Sequence, residues 1–589
     1  MPIVARLGVV LTLSLFAADA GVRAQARSID DFFREFAAEW VRGNPNQAVA
    51  TRYLAGPEQE RLERELTPAT SAWQRHRVQL ASRGLAALRR FDRVSLPAAQ
   101  QVAAELLDWQ LDTIAAGEPY LDYVFPLEQF GGTNISLVTT LTVSHPVRSA
   151  RDGENYLARL AQVGARMAEA AAEARRLDGA GILPPRFILR ATIAQMQQFI
   201  APPPAEHGFV ATLNERLAGL PDVPAARRES LVAEAARLVE TGVYPAWRTA
   251  IALLTAQAER ATDEAGLWRL PRGREAYAYH LRRHTTTTLT ADEIHEIGLR
   301  EVERIEQEMG VVLHRLGRTN GALNDRIEQL GKDLSYPLDE QGRGALMADV
   351  EAVMRDAEQR VAPFIERPPR ATVIAQAYPR FREATAAASY NAPPLDGSRP
   401  GIFQIPLRPA RMSKFGLRTL VYHETVPGHH LQVALDLENT AQPLFRRVRL
   451  FGGITALTEG WALYAERLAA ESGWYENDPE GLLGYLDAQL FRARRLVVDT
   501  GLHAKRWTRE QAIAYGIEAS EVDRYVVNPG QACAYMIGQL EIVELRERAR
   551  RALGDRFSLT GFHNAVLGAG TLPLDMLERQ VDAYIRAAR

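Results

Sequence analysis

The sequence is poor in cysteine, lysine and histidine, and it has no excess of charge of either sign. Cys533 is the single cysteine among 589 residues, which excludes an intrachain disulfide and a thiolate-held metal cluster. Lys and Arg together number 70 and Asp and Glu 72, so the net charge of −2 gives no basic excess for binding nucleic acid. Hydrophobic residues make up 47% of the chain and charged residues 24%, which indicates a packed globular protein.

Long hydrophobic runs are also missing. No stretch reaches 18 consecutive apolar residues, so we expect no stable insertion into a membrane. Residues 1–6 are short and basic, residues 7–16 are apolar, and small residues follow as far as Ala24 and Ala26. This order predicts a signal peptide over residues 1–24, with Ala26 as a second cleavage position. No lipobox cysteine lies near either position, so we expect a periplasmic or secreted protein.

Helical signals dominate the rest of the chain. Thr290 with Glu293 and Thr508 with Gln511 each form a capping-box pattern at the start of a predicted helix. Alternating β-branched runs are rare, and 139–147 and 401–407 are the best strand candidates. We therefore predict a mainly α, large two-lobed fold with minor β content. The predicted lobes are 25–250, which is helical, and 251–589, which is helical and carries the metal site.

The chain has only 12 histidines, and three of them fall in one short segment that reads His423-Glu424-Thr-Val-Pro427-Gly428-His429-His430. Many zinc peptidases carry His-Glu-x-x-His on a helix, where both histidines bind Zn²⁺ and the glutamate acts as general base. Here position 427 is proline, so that plain signature is absent. The segment still contains the two histidines and the adjacent glutamate of that signature, and these residues predict a zinc site with Glu424 as the base.

Helix geometry makes Pro427 and Gly428 decisive for the choice of the second histidine. On a straight helix, His423 and His429 would lie about 240° apart, on different faces, whereas His423 and His430 would share a face about 10.5 Å apart. A Pro-Gly pair breaks the helix, and without it the segment would have the usual His-Glu-x-x-His spacing. We therefore prefer His423 and His429 as ligands, and His423 with His430 stays open.

A third ligand is predicted on the following helical segment, 455–466. Glu459 and Glu466 lie seven residues apart within an otherwise apolar helix. A carboxylate in such a setting is costly unless a metal or another partner neutralises it. We predict Glu459 as the ligand, with a buried, salt-bridged glutamate as its alternative, and we place Glu466 near the metal.

Several downstream residues complete the predicted site. A phenol aimed at the scissile oxygen would stabilise the negative charge that forms there, and Tyr535 is the first candidate for this role and Tyr525 the second. Other polar residues in this region are predicted to bind substrate or to support the metal ligands: His430, Glu466, Arg495, Asp499, His503 and Gln531. We interpret His280, His284 and His295 as structural or surface residues.

These motifs together resemble the bacterial family numbered 885 among the domains of unknown function. Further matching stretches begin at Gly266, His284, Asp396, Leu496 and Pro529, so the resemblance covers nearly the whole mature chain. The family is similar, distantly, to helical gluzincin metallopeptidases, in which a Glu on a following helix is the third ligand. The resemblance implies a zinc peptidase with a deep cleft, and it implies no particular substrate. Many members carry a lipobox cysteine, which this chain lacks.

The leading hypothesis is a secreted or periplasmic peptidase that binds one Zn²⁺ per chain and hydrolyses short peptides. A metal-dependent hydrolase of a non-peptide amide or ester would use the same residues and is one alternative. A non-catalytic helical binding protein is the other. The sequence favours no particular oligomeric state.

Overall fold

The computed structural model describes residues 28–378, 380–383, 387–395, 397, 399–408 and 413–589. The predicted signal peptide, residues 1–24, lies outside these described residues. No helix in the described part of the chain has the length and apolar character needed to cross a bilayer.

The described chain is mainly α-helical, as the sequence predicts. Twelve helices form its first part: α1 (Ile29–Arg42), α2 (Pro45–Thr51), α3 (Gly56–Leu62), α4 (Ser71–Leu88), α5 (Ala98–Ala116), α6 (Thr133–Thr139), α7 (Ala150–Leu160), α8 (Val163–Gly179), α9 (Arg186–Phe199), α10 (Gly208–Ala218), α11 (Ala225–Leu238) and α12 (Tyr244–Ala258). Four more precede the sheet: α13 (Gly273–Thr285), α14 (Ala291–Arg315), α15 (Leu323–Asp333) and α16 (Glu340–Val361).

A small sheet separates these helices from the last part of the chain. Its strands are β1 (Val373–Ala377), β2 (Ser389–Asn391) and β3 (Gly401–Ile405), with the short helix α17 (Arg380–Glu383) between the first two. The strand order is β1-β3-β2, and β3 pairs parallel with β1 and antiparallel with β2. The predicted strand over 401–407 is therefore present.

Ten helices complete the described chain. They are α18 (Lys414–Glu424), α19 (His429–Glu438), α20 (Leu444–Arg447), α21 (Thr455–Glu471), α22 (Pro479–Ala504), α23 (Arg509–Ala514), α24 (Ala519–Val527), α25 (Cys533–Leu553), α26 (Leu559–Gly568) and α27 (Leu574–Ala588).

Local sequence signals explain where some of these helices begin. The Thr290 hydroxyl accepts from the backbone N–H of Glu293, whose carboxylate accepts from the N–H of Thr290, so α14 starts at a complete capping box. Thr508 and Gln511 form the same arrangement at α23. The strand predicted over 139–147 is wrong, because this stretch continues from α6 into a π-helical turn at Thr140–Ser144.

Five hydrophobic clusters make up the core of the described chain, and three of them are large. One is drawn from residues 66–261, and another joins α1, α4 and α5 to Phe445, Leu450 and Phe451. The largest is built mainly from residues 267–585. The predicted division at residue 250 falls inside α12, and the 66–261 cluster extends past it to Ala261.

Helices α21 and α25 approach each other closely where two glycines meet. A Cβ atom on Gly538 would lie 1.8 Å from the carbonyl oxygen of Ala456, and one on Gly460 would lie 2.5 Å from the carbonyl carbon of Gly538. Both positions therefore require glycine. The contact matters for the site because α21 carries Glu459 and α25 carries Tyr535.

We predict that Gly538→Ala lowers the free energy of unfolding by about 1–3 kcal/mol, the usual cost of overpacking a tight contact. Gly310 in α14 is a matched control, because a Cβ there would meet nothing within 4 Å. Gly310→Ala should stabilise the protein by roughly 0.5–1 kcal/mol through its helix propensity. Urea unfolding followed by helical circular dichroism measures both, and equal effects would contradict the close contact.

Candidate metal centre

The chain breaks its helix between Glu424 and His429. Helix α18 ends at Glu424 and α19 begins at His429. The N–H of His430 donates to the carbonyl of Thr425 at 3.0 Å, and the indole N–H of Trp461 donates to the carbonyl of Pro427 at 2.9 Å. The predicted break is therefore present, and α21 holds it in place through Trp461.

Gly428 is required by space. A Cβ atom at this position would lie 2.0 Å from the carbonyl oxygen of His423 and 2.4 Å from that of Tyr422. The close approach of α18 to the turn therefore requires glycine at this position.

The break brings His423, His429 and Glu459 together. The Nε2 atoms of His423 and His429 lie 3.6 Å and 3.4 Å from the same carboxylate oxygen, Oε2 of Glu459. One ligand atom from each residue falls within 4.8 Å of the others. The geometry thus places His429, rather than His430, beside His423.

This arrangement fits a zinc ion. Two ligand atoms bound at about 2 Å to one tetrahedral metal lie roughly 3.3 Å apart, close to the separations from Glu459. Two imidazole nitrogens and one carboxylate oxygen are also the donors of many catalytic zinc sites, which leave a fourth position open. His423, His429 and Glu459 are therefore the residues that would hold the metal.

The electrostatics of the cluster favour a cation. Burial acts to raise the pKa of Glu459, but the imidazoles of His429 and His423 hold it well below its ordinary value. Burial acts to lower the pKa of His423, yet the carboxylates of Glu459 and Glu466 raise it to about 9. The same negative potential that stabilises a proton here would stabilise Zn²⁺.

Glu466 orients the first ligand from behind. Its Oε1 atom lies 2.7 Å from Nδ1 of His423, and the Gln489 side chain donates to its Oε2 at 3.2 Å. Arg492 approaches the same carboxylate at 3.8 Å. A carboxylate on the far nitrogen fixes the imidazole so that Nε2 is free to accept a metal.

The cluster opens into a cavity of about 500 Å³. Glu424 and Tyr535 line the same cavity as His423, His429 and Glu459. Burial and the charge of Glu459 raise the pKa of Tyr535, so its phenol stays protonated and can donate a hydrogen bond. The predicted base and the first oxyanion candidate therefore share one cavity with the three clustered side chains.

Comparison with known proteins identifies the family of this chain. The family described as "Bacterial protein of unknown function (DUF885)" matches residues 46–581, most of the chain. The chain belongs to this family. No curated protein matches the sequence.

Two solved structures are similar to this member of the DUF885 family. A candidate lipoprotein from Colwellia psychrerythraea has 30% sequence identity and a TM-score of 0.90, and the match covers 95% of this chain and all (100%) of that one. A candidate lipoprotein of unknown function from Shewanella oneidensis has 19% identity and a TM-score of 0.68, with 94% and 99% covered. The second likeness shows the fold alone.

His430 points away from the cluster of this DUF885 protein. Its Nε2 lies 2.9 Å from the carbonyl oxygen of Ala371, and its Nδ1 lies 3.0 Å from the hydroxyl of Tyr390. His430 therefore ties α19 to the small sheet. Tyr390 itself lines the cavity, and it is not among the site residues predicted from the sequence.

Arg495 and Tyr525 form a separate buried group. The Arg495 guanidinium donates to the Tyr525 hydroxyl and to Glu521, both at 3.0 Å, and Tyr525 does not line the cavity. The same guanidinium lies 4.5 Å from the ring centre of Tyr535. Arg495 thus supports Tyr535, whereas Tyr525 lies apart from the metal ligands.

Asp499, His503 and Gln531 hold the segment that leads into α25. The buried Asp499 carboxylate accepts from the N–H of Gly530 at 3.0 Å, and burial raises the pKa of Asp499 to about 7. His503 accepts from the N–H of Leu267 and donates to the carbonyl of Tyr525, and burial lowers its pKa to about 4. Gln531 hydrogen-bonds Tyr535 within the first turn. These residues position Tyr535 from outside the ligand cluster.

We predict that the mature protein binds about one Zn²⁺ per chain, by the three-ligand logic of catalytic sites. Alanine at His423, His429 or Glu459 should remove the metal. His430→Ala and His284→Ala should retain it, because neither side chain belongs to the cluster. Inductively coupled plasma mass spectrometry of dialysed protein gives the stoichiometry. Full occupancy in His423→Ala, or loss in His430→Ala alone, would contradict the ligand set.

A second prediction concerns the carboxylate behind His423. Glu466→Gln keeps the size of the side chain but removes its charge, so zinc affinity should fall roughly 10- to 100-fold. Glu471→Gln is the control, since Glu471 lies on the same helix but pairs with Arg467 and Arg546. Competition with a chelating dye measures both affinities. An equal loss in the two variants would mean that Glu466 acts only through the stability of α21.

Proposed function

We propose that this protein is an extracytoplasmic zinc peptidase that hydrolyses short peptides and is distantly similar to gluzincin metallopeptidases. The convergence of His423, His429 and Glu459 beside Glu424 in one cavity carries the proposal. Glutamate next to the first histidine ligand is the arrangement in which a carboxylate reaches a metal-activated water. The helix break at Pro427 and Gly428 supports the proposal because it places His423 and His429 on the same carboxylate oxygen of Glu459.

The bound metal would supply a water of lowered pKa and polarise the scissile carbonyl. Glu424 lies in the cavity wall without being one of the three clustered ligands, so its carboxylate can accept the proton of the attacking water. The same residue can then return the proton to the leaving amine. Glu466 keeps the His423 ring in the tautomer with Nδ1–H, so that Nε2 faces the cluster.

Tyr535 is the proposed oxyanion donor. Its raised pKa keeps the O–H in place, and a phenol donor aimed at the developing negative charge is worth several kcal/mol of barrier, about 2.7–4 for one such group. Arg495 over its ring and Gln531 beside its hydroxyl restrict where the phenol can point. The positive charge of Arg495, which lies over the Tyr535 ring, adds positive potential near the phenol.

The proposed location outside the cytoplasm rests on two observations. The first 24 residues have the pattern of a signal peptide. The two similar structures are described as candidate lipoproteins, and proteins of that class leave the cytoplasm. The cysteine of this chain, Cys533, is buried in α25.

We predict that Glu424→Gln retains zinc while peptide hydrolysis falls by roughly 10²-fold or more, the usual worth of a positioned general base. The exposed residue Glu544 provides the control, because it pairs with Arg551 and does not line the cavity, so Glu544→Gln should change neither property. Hydrolysis of a mixed peptide library followed by mass spectrometry measures the rate. Loss of zinc in Glu424→Gln would make Glu424 a ligand and require new roles.

The same assay separates the proposal from its alternatives. A panel of peptides, non-peptide amides and esters distinguishes a peptidase from another metal-dependent hydrolase with the same residues. A zinc-loaded protein that cleaves no member of the panel would support a binding protein instead.

A further inference from the structure

A second cavity, of about 580 Å³, lies between the first helices and the C-terminal half. Trp40 of α1, Trp73 of α4 and Trp109 of α5 line it, and the Arg77 guanidinium lies 3.4 Å over the ring centre of Trp40. Tyr279 of α13 and Phe451, which follows α20, line it as well. Flat aromatic walls of this kind bind apolar or aromatic groups.

The two cavities share a wall. Val448 and Arg449 line the metal cavity, and the next residues, from Leu450 to Gly453, line the second cavity. In the same way Thr455 faces the second cavity, whereas Glu459, one helical turn later, faces the first. One helical turn advances about 5.4 Å, so the second cavity begins close to the proposed metal.

The charge of this second cavity is positive. Among the described residues that line it there is no Asp or Glu, but there are Arg77 and Arg283. Neither guanidinium forms an ion pair with a described carboxylate: Arg77 donates to the carbonyl of Trp40, and Arg283 hydrogen-bonds Tyr279. Burial lowers the pKa of His280 to about 3, so the arginines carry the charge.

Three lining side chains have unused hydrogen-bonding atoms. The amide N–H groups of Gln47 and Gln110 donate to the carbonyls of Leu450 and Gly452, which fixes both amide orientations. Oε1 of each glutamine and Nε2 of His280 are buried and have no hydrogen-bond partner among the described residues. Buried polar atoms are normally paired, so two acceptors here call for N–H or O–H donors.

We propose that this second cavity binds the carboxyl-terminal end of apolar peptides. Arg77 and Arg283 would bind the free carboxylate, Gln47 and Gln110 would accept from peptide N–H groups, and the aromatic walls would hold an apolar side chain. A fatty acid lacks the N–H donors, and a neutral sugar lacks the anion. The role as a docking site for substrates rests on the proposed peptidase function, whereas the binding itself does not.

The test uses the full-length Glu424→Gln protein, so that a bound peptide is not consumed. N-acetyl-Phe-Phe and its carboxyl-terminal amide are titrated calorimetrically, with zinc present and again after chelation. The free acid should bind in both states, and the amide should bind about tenfold more weakly, as expected for loss of a charged hydrogen bond.

Matched variants locate the binding. Arg283→Gln should weaken binding of the free acid about tenfold and leave the affinity for the amide unchanged. Arg282→Gln is the control, because Arg282 is the exposed neighbour on α13 and does not line the cavity. Gln110→Leu should weaken binding of the acid and of the amide alike, since it removes an acceptor for a peptide N–H group.

Three results would overturn the proposal. If binding is lost when zinc is removed, the peptide carboxylate binds the metal instead. Equal affinity for the acid and the amide would exclude an anion site. Binding of an acidic saccharide without binding of the peptide would change the ligand class. If the binding pattern holds but the wild-type protein cleaves no peptide, the cavity assignment stands and the proposed function fails. If peptides are cleaved, Arg283→Gln should raise KM and leave kcat unchanged.

Discussion

Two carboxylates on one apolar helix, the half-buried Glu459 and the fully buried Glu466, need partners that the surrounding structure must supply. An ionised carboxylate is costly in an apolar interior unless it is paired and hydrogen-bonded. His423 lies between the two and contacts both, and Gln489 and Arg492 approach Glu466 from α22. The glycine contact with α25 fixes the position of α21, which carries both acids.

The helix break allows both imidazoles to reach Glu459. A continuous helix would carry His429 to another face, and Glu459 would then keep only one imidazole partner. The turn at Pro427 and Gly428 reverses this and places both imidazoles on one carboxylate oxygen. Trp461, two residues beyond Glu459, hydrogen-bonds the turn, so the acid and the break depend on the same helix.

Features with a local cause could be predicted from the sequence. The capping boxes at Thr290 and Thr508 and the break at Pro427 depend on residues within one turn of each other. Features that depend on tertiary contacts could not be predicted from the sequence. The sequence assigns Arg495 to substrate or metal support, but its partner Glu521 lies on another helix, α24, and satisfies much of its charge.

The same distinction explains the other differences. The β-branched residues of 139–147 indicate a strand locally, but the stretch continues α6 into a π-helical turn, so tertiary packing overrides the local preference. Tyr390 reaches the cavity only because β2 pairs with β3, which the sequence does not specify. The lining of the second cavity comes from α1, α4, α5 and α13, and no spacing in the chain brings these together.

The clustered residues and Tyr535 differ in how far apart they lie along the chain. His423, His429 and Glu459 belong to one short stretch from α18 to α21, and closing short loops costs little chain entropy. Tyr535 comes much later in the chain, and it reaches the same cavity because α25 packs on α21 at Gly538. The three-residue cluster is therefore a local feature of the chain, whereas the cavity around it depends on a long-range helix contact.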